Sequence, residues 1–174
     1  MPDILAPSAT VTALPEALRL SVRAERGDVH ALSEAFGLAF PERISDVAGT
    51  PERFVACLGP DEWLFTAPVS EREAAMAIAY GLSTSIVCSV TDISARELCF
   101  AIEGPGAVSA LNSGCPTELE ALEMPSASRT VFEGVQITLV KWRADAWRLE
   151  IWRSFATHVL ACLDLAQRDV NFDI

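Results

Sequence analysis

The segment Ala101–Pro116, AIEGPGAVSALNSGCP, brings a Gly-Pro-Gly turn, an apolar helical run, an asparagine and a cysteine together within sixteen positions. Two chemistries suit those residue types: backbone amides that cradle a phosphate, and a thiol nucleophile. The cradle is the weaker reading. GPG lacks the GxGxxG spacing, no Walker pattern with its Lys and Ser or Thr is present, and Pro105 removes one amide donor. A tight turn entering a helix accounts better for Gly104, Pro105 and Gly106, with Pro105 at a first helical position and Gly114 as the stop. Cys115 then follows a helix C-terminus, where the dipole disfavours a thiolate. Only His30 and His158 offer imidazoles, each on an expected helix with no Asp or Asn at a telling spacing. A packed thiol is therefore a better reading of Cys115 than a Cys-His pair, and two imidazoles leave few ligands for a catalytic metal. The sequence assigns no catalytic, cofactor-binding or metal-ligating residue.

Two other groups stand out. Asp92, in SVTDISARE, ends an apolar strand and precedes a turn, where a carboxylate accepts amide bonds from the residues that follow. The alternative is a carboxylate that meets a ligand. The second group is KWRADAWRLEIWRSF, where Lys141, Arg143, Arg148 and Arg153 form a local basic patch broken by Asp145 and Glu150. Trp and Arg dominate interface hot spots, so an exposed Trp152 beside Arg143, Arg148 and Arg153 would anchor an acidic partner. Core packing is the competing reading for the tryptophans, with Trp142 and Trp152 on the face opposite Trp147.

These residues sit in a chain of 174 with 51% hydrophobic and 21% charged residues, a balance that indicates a globular body with a substantial core. A net charge of −11 disfavours nucleic acid or an anionic membrane as the main partner, since either needs a clustered positive field. The five cysteines are odd in number and show no CxxC spacing, so neither a disulfide framework nor a zinc site is indicated, and a reducing cytoplasm fits best. The N-terminal stretch lacks the basic and apolar regions of a leader, and no run reaches the ~18 apolar residues of a spanning helix, so a soluble protein is expected.

The elements that position these groups follow from periodicity. Residues 1–17 carry three prolines and read as an irregular arm, followed by a single α+β domain over 18–174 made of two halves, about 18–92 and 93–174. Leu18, Leu20, Val22 and Ala24 alternate as a strand. GDVHALSEAFG shifts to helical spacing, with Asp28 as its cap and Gly37 as its end. RFVACLGPDEWLFTAP predicts two strands joined at Gly59-Pro60-Asp61. SEREAAMAIAYGL predicts a helix with a Ser70–Glu73 capping box and Gly81 as its terminator. The strands SIVCSVTDI and RELCFAIEG come next. After the opening segment, residues 115–128 form a loop through Pro116 and Pro125. A pair of strands, RTVFEGVQITLVKW, then leads to DAWRLEIW and a last helix capped by Ser154. The two halves repeat one order, with Trp63 over Trp147 and Phe65 over Leu149. That repeat predicts two split β-α-β, ferredoxin-like units with antiparallel sheets and helices on one face.

LGPDEWLF, VTDISARELCFAIEGPGAVSALNSGCPTEL and RTVFEGVQITLVKWRADAWRLEIWRSFATHVLACL resemble the gamma subunit of heterotetrameric sarcosine oxidase. The resemblance covers roughly residues 54–165, and residues 1–50 match loosely. Its motifs are the GPDEWL turn, V-x-D-x-S at Val90–Ser94, L-N-x-G-C-P at Leu111–Pro116 and W-R-S-F at Trp152–Phe155. The resemblance implies a reduced relative of the folate-binding domain of the glycine-cleavage aminomethyltransferase. The family's four-chain enzyme oxidises sarcosine with oxygen and water to glycine and hydrogen peroxide, and passes the one-carbon unit to tetrahydrofolate or releases it as formaldehyde. FAD, covalent FMN, NAD, zinc and tetrahydrofolate are implied for other subunits, with no cofactor on this chain. The implied partners are the alpha, beta and delta subunits. An isolated chain has partner surface through which it could pair with itself. The expected role is non-catalytic, in assembly and stabilisation, and Gly59, Pro60, Asp92, Gly104, Gly106, Gly114 and Pro116 become turn-forming residues. The alternative is a stand-alone folate-binding or aminomethyltransferase-like protein in which Asp92 meets the pterin.

Overall fold

The computed structural model describes residues 8–172. The chain runs β1 (Thr10–Ala13), β2 (Leu18–Ala24), α1 (Val29–Phe36), β3 (Val47–Gly49), β4 (Phe54–Gly59), β5 (Glu62–Ala67) and α2 (Arg72–Leu82). It continues through β6 (Cys88–Asp92), β7 (Glu97–Glu103), α3 (Ala107–Asn112), β8 (Ser126–Phe132), β9 (Val135–Arg143), β10 (Ala146–Trp152) and α4 (Ala156–Phe172). It divides into two compact units. One comprises Glu16–Arg96 with Pro125–Ala127; the other takes in the described residues before Glu16, Glu97–Met124 and the chain from Ser128 onward.

In the first unit the sheet order is β3-β4-β5-β2-β6, with antiparallel pairing throughout. Without the three-residue edge strand β3, this is a split β-α-β unit: β5 lies between β2 and β4, which α1 connects. Alternation places Leu18, Leu20, Val22, Val55, Cys57, Trp63 and Phe65 on the helix-facing side, where they pack with Val29, Leu32, Phe36 and Ala75. Phe36 and Phe65 meet at 4.9 Å between ring centroids, and the Trp63 indole donates to the Pro41 carbonyl at 2.7 Å. Arg53 ties the helix layer to β4: it pairs with Glu71 at 2.9 Å, donates to the Phe36 carbonyl at 2.7 Å and lies over the Phe65 ring.

The second unit has the order β1-β7-β10-β9-β8, which is the same arrangement with β7, β9 and β10 in the places of β2, β4 and β5. The slot that β6 fills in the first unit is filled here by β1, which pairs antiparallel with β7 from Thr10↔Glu103 to Ala13↔Phe100. The stretch read as an irregular arm therefore carries a sheet strand, and the segment Ile93–Arg96 stays with the first unit. Trp147, Leu149 and Ile151 of β10 pack with Phe100, Ile102, Leu111, Leu119, Phe132, Val159 and Leu163, and Trp147 occupies the repeat position of Trp63.

Helix entry differs from the capping expectation. Asp28, Ser70 and Ser154 make no side-chain cap. Each of α1, α2 and α4 is entered through a three-residue 3₁₀ turn, Arg26–Asp28, Val69–Glu71 and Arg153–Phe155. The turn carbonyls of Arg26, Val69 and Arg153 take the amides of Val29, Arg72 and Ala156, so backbone replaces the capping hydroxyl or carboxylate. Gly37 does close α1 in the left-handed region at φ 61°, but Gly81 lies inside α2, which runs to Leu82 and has Ser83 as its C-cap. Pro105 precedes α3, whose N-cap is Gly106.

Candidate functional site

The groups that could carry chemistry are largely engaged by the fold. Asp92 ends β6, and its Oδ1 accepts the Ser94 amide at 2.9 Å and the Ser94 hydroxyl at 2.6 Å, the turn its position predicted. Its Oδ2 pairs with Arg72 at 2.8 Å, and the Ser94 hydroxyl in turn accepts the Arg19 amide at 2.9 Å. Burial pushes the Asp92 carboxyl up, but the Ser94 bonds and the Arg72 guanidinium outweigh it and hold the carboxyl below its ordinary value. Both carboxylate oxygens thus brace the end of β6, which argues against Asp92 as the acid that meets a pterin.

Gly104 and Gly106 form the corner between β7 and α3. Gly104 has φ +107°, and a Cβ there would overlap the Ser8 carbonyl, so only glycine fits. The Gly106 amide donates to the same carbonyl at 2.9 Å. The Gly114 carbonyl accepts the Glu133 amide at 2.9 Å, which ties the end of α3 to the β8–β9 turn before exposed Pro116. Cys115 is 5% exposed and lies in the apolar core, with its Sγ 3.8 Å from the Thr130 hydroxyl. In the β4–β5 turn, Gly59 is buried and its carbonyl accepts the Cys57 thiol. The Pro60 carbonyl takes the Arg26 guanidinium at 3.0 Å.

The basic patch separates into two sets. Lys141 and Arg148, expected at the surface, are buried at 4% and 7% exposure. The Lys141 ammonium donates to the carbonyls of Leu119, Glu120 and Leu122 at 3.0, 3.1 and 2.8 Å and lies 5.2 Å from the Trp147 ring centroid. Arg148 pairs with buried Glu150 at 2.6 Å on the face of β10 opposite Trp147. Both faces of β10 are buried, which removes Arg148 from the exposed surface. Arg143, Trp152 and Arg153 remain exposed. Arg143 reaches Asp145 at 3.4 Å and Glu103 at 3.8 Å, while Trp152 lies beside Phe155, with ring centroids 6.3 Å apart. Trp152 and Phe155 are 40% and 44% exposed. Phe155 is a surface aromatic that the sequence reading did not single out: it ends the 3₁₀ turn Arg153–Phe155 and stays exposed there.

An open recess of about 450 Å³ in the first unit is lined by Arg26, Glu42, Arg43 and Ile44. Among the described residues, no group of three or more His, Cys, Asp or Glu is placed to hold a metal ion. His158 and Cys162 are neighbours on α4 at 3.9 Å, and His30 reaches Glu34 at 3.4 Å, both on exposed helix surface. No described helix is long and apolar enough to cross a membrane.

No protein-family model matches the chain. Sarcosine oxidase subunit gamma from Corynebacterium sp. (strain P-1) is 31% identical over 150 residues, covering 83% of this chain and 72% of the relative. A chain of the heterotetrameric sarcosine oxidase from Corynebacterium sp. U-96, solved with pyrrole 2-carboxylate, superposes with a TM-score of 0.86. It is 26% identical and spans 94% of this chain and 85% of its own length. The glycine cleavage system aminomethyltransferase T from Bartonella henselae shares the fold at a TM-score of 0.68 and 14% identity, over 95% of this chain and 50% of the enzyme.

Proposed function

The chain belongs to the sarcosine oxidase gamma-subunit family, and from that membership we propose that it is the non-catalytic gamma subunit of a heterotetrameric sarcosine oxidase. The observation that carries this reading is the close superposition, over nearly the whole chain, on a chain of that four-subunit enzyme. The complex would oxidise sarcosine to glycine and hydrogen peroxide. FAD, FMN, NAD, zinc and the tetrahydrofolate acceptor would be held by alpha, beta and delta subunits. The side chains described above support the division of labour. Asp92, Cys115, Lys141 and the Arg148–Glu150 pair are each committed to holding this chain together.

Assembly then rests on exposed groups. Trp152 and Phe155 present adjacent rings at the entry of α4, and exposed Arg143 and Arg153 flank β10. Large rings that stay half-exposed in the separate chain gain most from burial against a partner, and guanidinium groups at the rim set orientation. None of the five cysteines is held in a disulfide, which suits the reducing cytoplasm as the place of assembly.

The test is co-expression of the tagged chain with its neighbouring reading frames. A flavin-coloured complex with two large chains and one small chain supports the reading, and a colourless lone chain overturns it. Arg153→Glu should weaken that complex, and undiminished assembly would remove Arg153 from the interface.

A further inference from the structure

The strand β6 is the outer strand of its sheet and, among the described residues, pairs only with β2. The Ile93 amide bonds the Arg19 carbonyl, and the Ala24 amide turns the other way to the Asp61 carbonyl. In an antiparallel ladder that phase directs the backbone groups of Ser89 and Thr91 to β2, and those of Cys88, Val90 and Asp92 to the open side. Among the described residues none bonds those outward groups.

Edge strands are ordinarily blunted by lysine, proline or a bulge. β6 has the sequence CSVTD and a regular register, with none of these devices. The core is also incompletely closed along it. Ile86, Cys88 and Val90 pack on the first unit's core but stay partly exposed, and Val87, just before the strand, is 84% exposed. The helix packed against β6, α2, exposes Tyr80 at 78% and Met76 at 38%. The Cys88 end of the strand is acidic. Besides burial, Asp28 raises the Cys88 thiol, and neither Asp28 nor Glu25 has an ion pair among the described residues.

We propose that β6 is a docking edge for an extended segment of a partner subunit. The segment is apolar at alternate positions and carries Lys or Arg at the end that meets Glu25 and Asp28. Main-chain bonds to Cys88, Val90 and Asp92 would supply affinity, and alternate side chains would cover Ile86, Cys88 and Val90. This edge belongs to the first unit, whereas Trp152 and Phe155 belong to the second. The proposal rests on the subunit reading above.

Residue-resolved amide hydrogen exchange on the full chain, alone and in the co-expressed complex, tests it. Expected is at least a tenfold slowing at Cys88 and Val90 on assembly, with little change at Ser89 and Thr91, which already bond β2. A uniform change over all four, or none, in a complex that does form overturns this proposal alone. Failure of any complex to form overturns the subunit reading and this proposal with it. Concentration-dependent protection at Cys88 and Val90 in the isolated chain would assign the edge to a second copy and also overturn it. A variant, Val90→Pro, tests it independently, because it deletes an outward donor and leaves the β2 ladder intact. It should keep the isolated chain's circular dichroism and lower complex yield at least tenfold; wild-type yield overturns the proposal.

Discussion

Replacing Lys141 by Met isolates the contribution of one buried ammonium, because methionine fills the same stem volume and removes only the donors. In the wild type, three carbonyls from Leu119 to Leu122 converge on Nζ at 2.8–3.1 Å, and the Trp147 ring backs it at 5.2 Å. A hydrogen bond from a charged donor contributes about 1.5–3 kcal/mol, and a buried carbonyl left bare costs about 1–3 kcal/mol. Only the Leu119 bond is fully buried; the Glu120 and Leu122 carbonyls lie partly exposed and regain water. Removing a charge from the interior returns part of its desolvation cost. The net expectation is a loss of about 2–4 kcal/mol, which at a urea slope of about 2 kcal/mol/M lowers the midpoint by about 1–2 M. Lys141→Arg should also destabilise, because a planar fork does not match three convergent acceptors. Urea titration followed by tryptophan fluorescence, with amide exchange over residues 117–124, reads both effects. A midpoint within about 0.2 M of wild type, or unchanged exchange in that loop, would refute the argument that the ammonium pins it.

Other consequences are as direct. Because the Asp92 carboxyl is held below its unfolded value, its contribution is present above about pH 4 and fades as pH falls through the folded pKa. The stability gap between wild type and Asp92→Asn should therefore close on acidification, and a gap constant from pH 7 to pH 3 would contradict that account. Gly104→Ala should cost about 1–3 kcal/mol through backbone strain, plus displacement of the chain before β1, read as a lower thermal midpoint. Trp152→Ala should leave the isolated chain's midpoint nearly unchanged but reduce complex yield, since the ring is 40% exposed. Iodoacetamide should label partly exposed Cys162 and Cys88 before buried Cys57, Cys99 and Cys115; rapid labelling of Cys115 in the native chain would reopen thiol chemistry there.

The repeated unit was legible in the sequence because its signals are local: alternation around Trp63 and Trp147, helical runs after each, and Gly-rich corners. The Asx turn at Asp92 and the close of α1 at Gly37 were legible for the same reason. What escaped depended on distant partners. β1 is four residues among prolines and is a strand only because β7 accepts it. Lys141 and Arg148 read as a surface patch because alternation marks which face a residue takes, and gives no indication that both faces of β10 are buried. Capping residues misled because 3₁₀ turns supplied the carbonyls themselves.

The placement of β1 bears on how this polypeptide can be made and cut. β1 leaves the ribosome long before β7, while α4, whose Gln167 amide donates to the Ala9 carbonyl at 3.0 Å, follows every other described element. The second unit closes only when β1 and α4 have both joined it, so biosynthesis completes it after the first. One protease nick at the 96/97 junction would not free it as a fragment, because the 15/16, 124/125 and 127/128 junctions still link it to the first unit. To isolate it, a circularly permuted gene would start at Glu97 and carry residues 8–13 after α4, keeping the Ser8 and Ala9 carbonyls that Gly106 and Gln167 use.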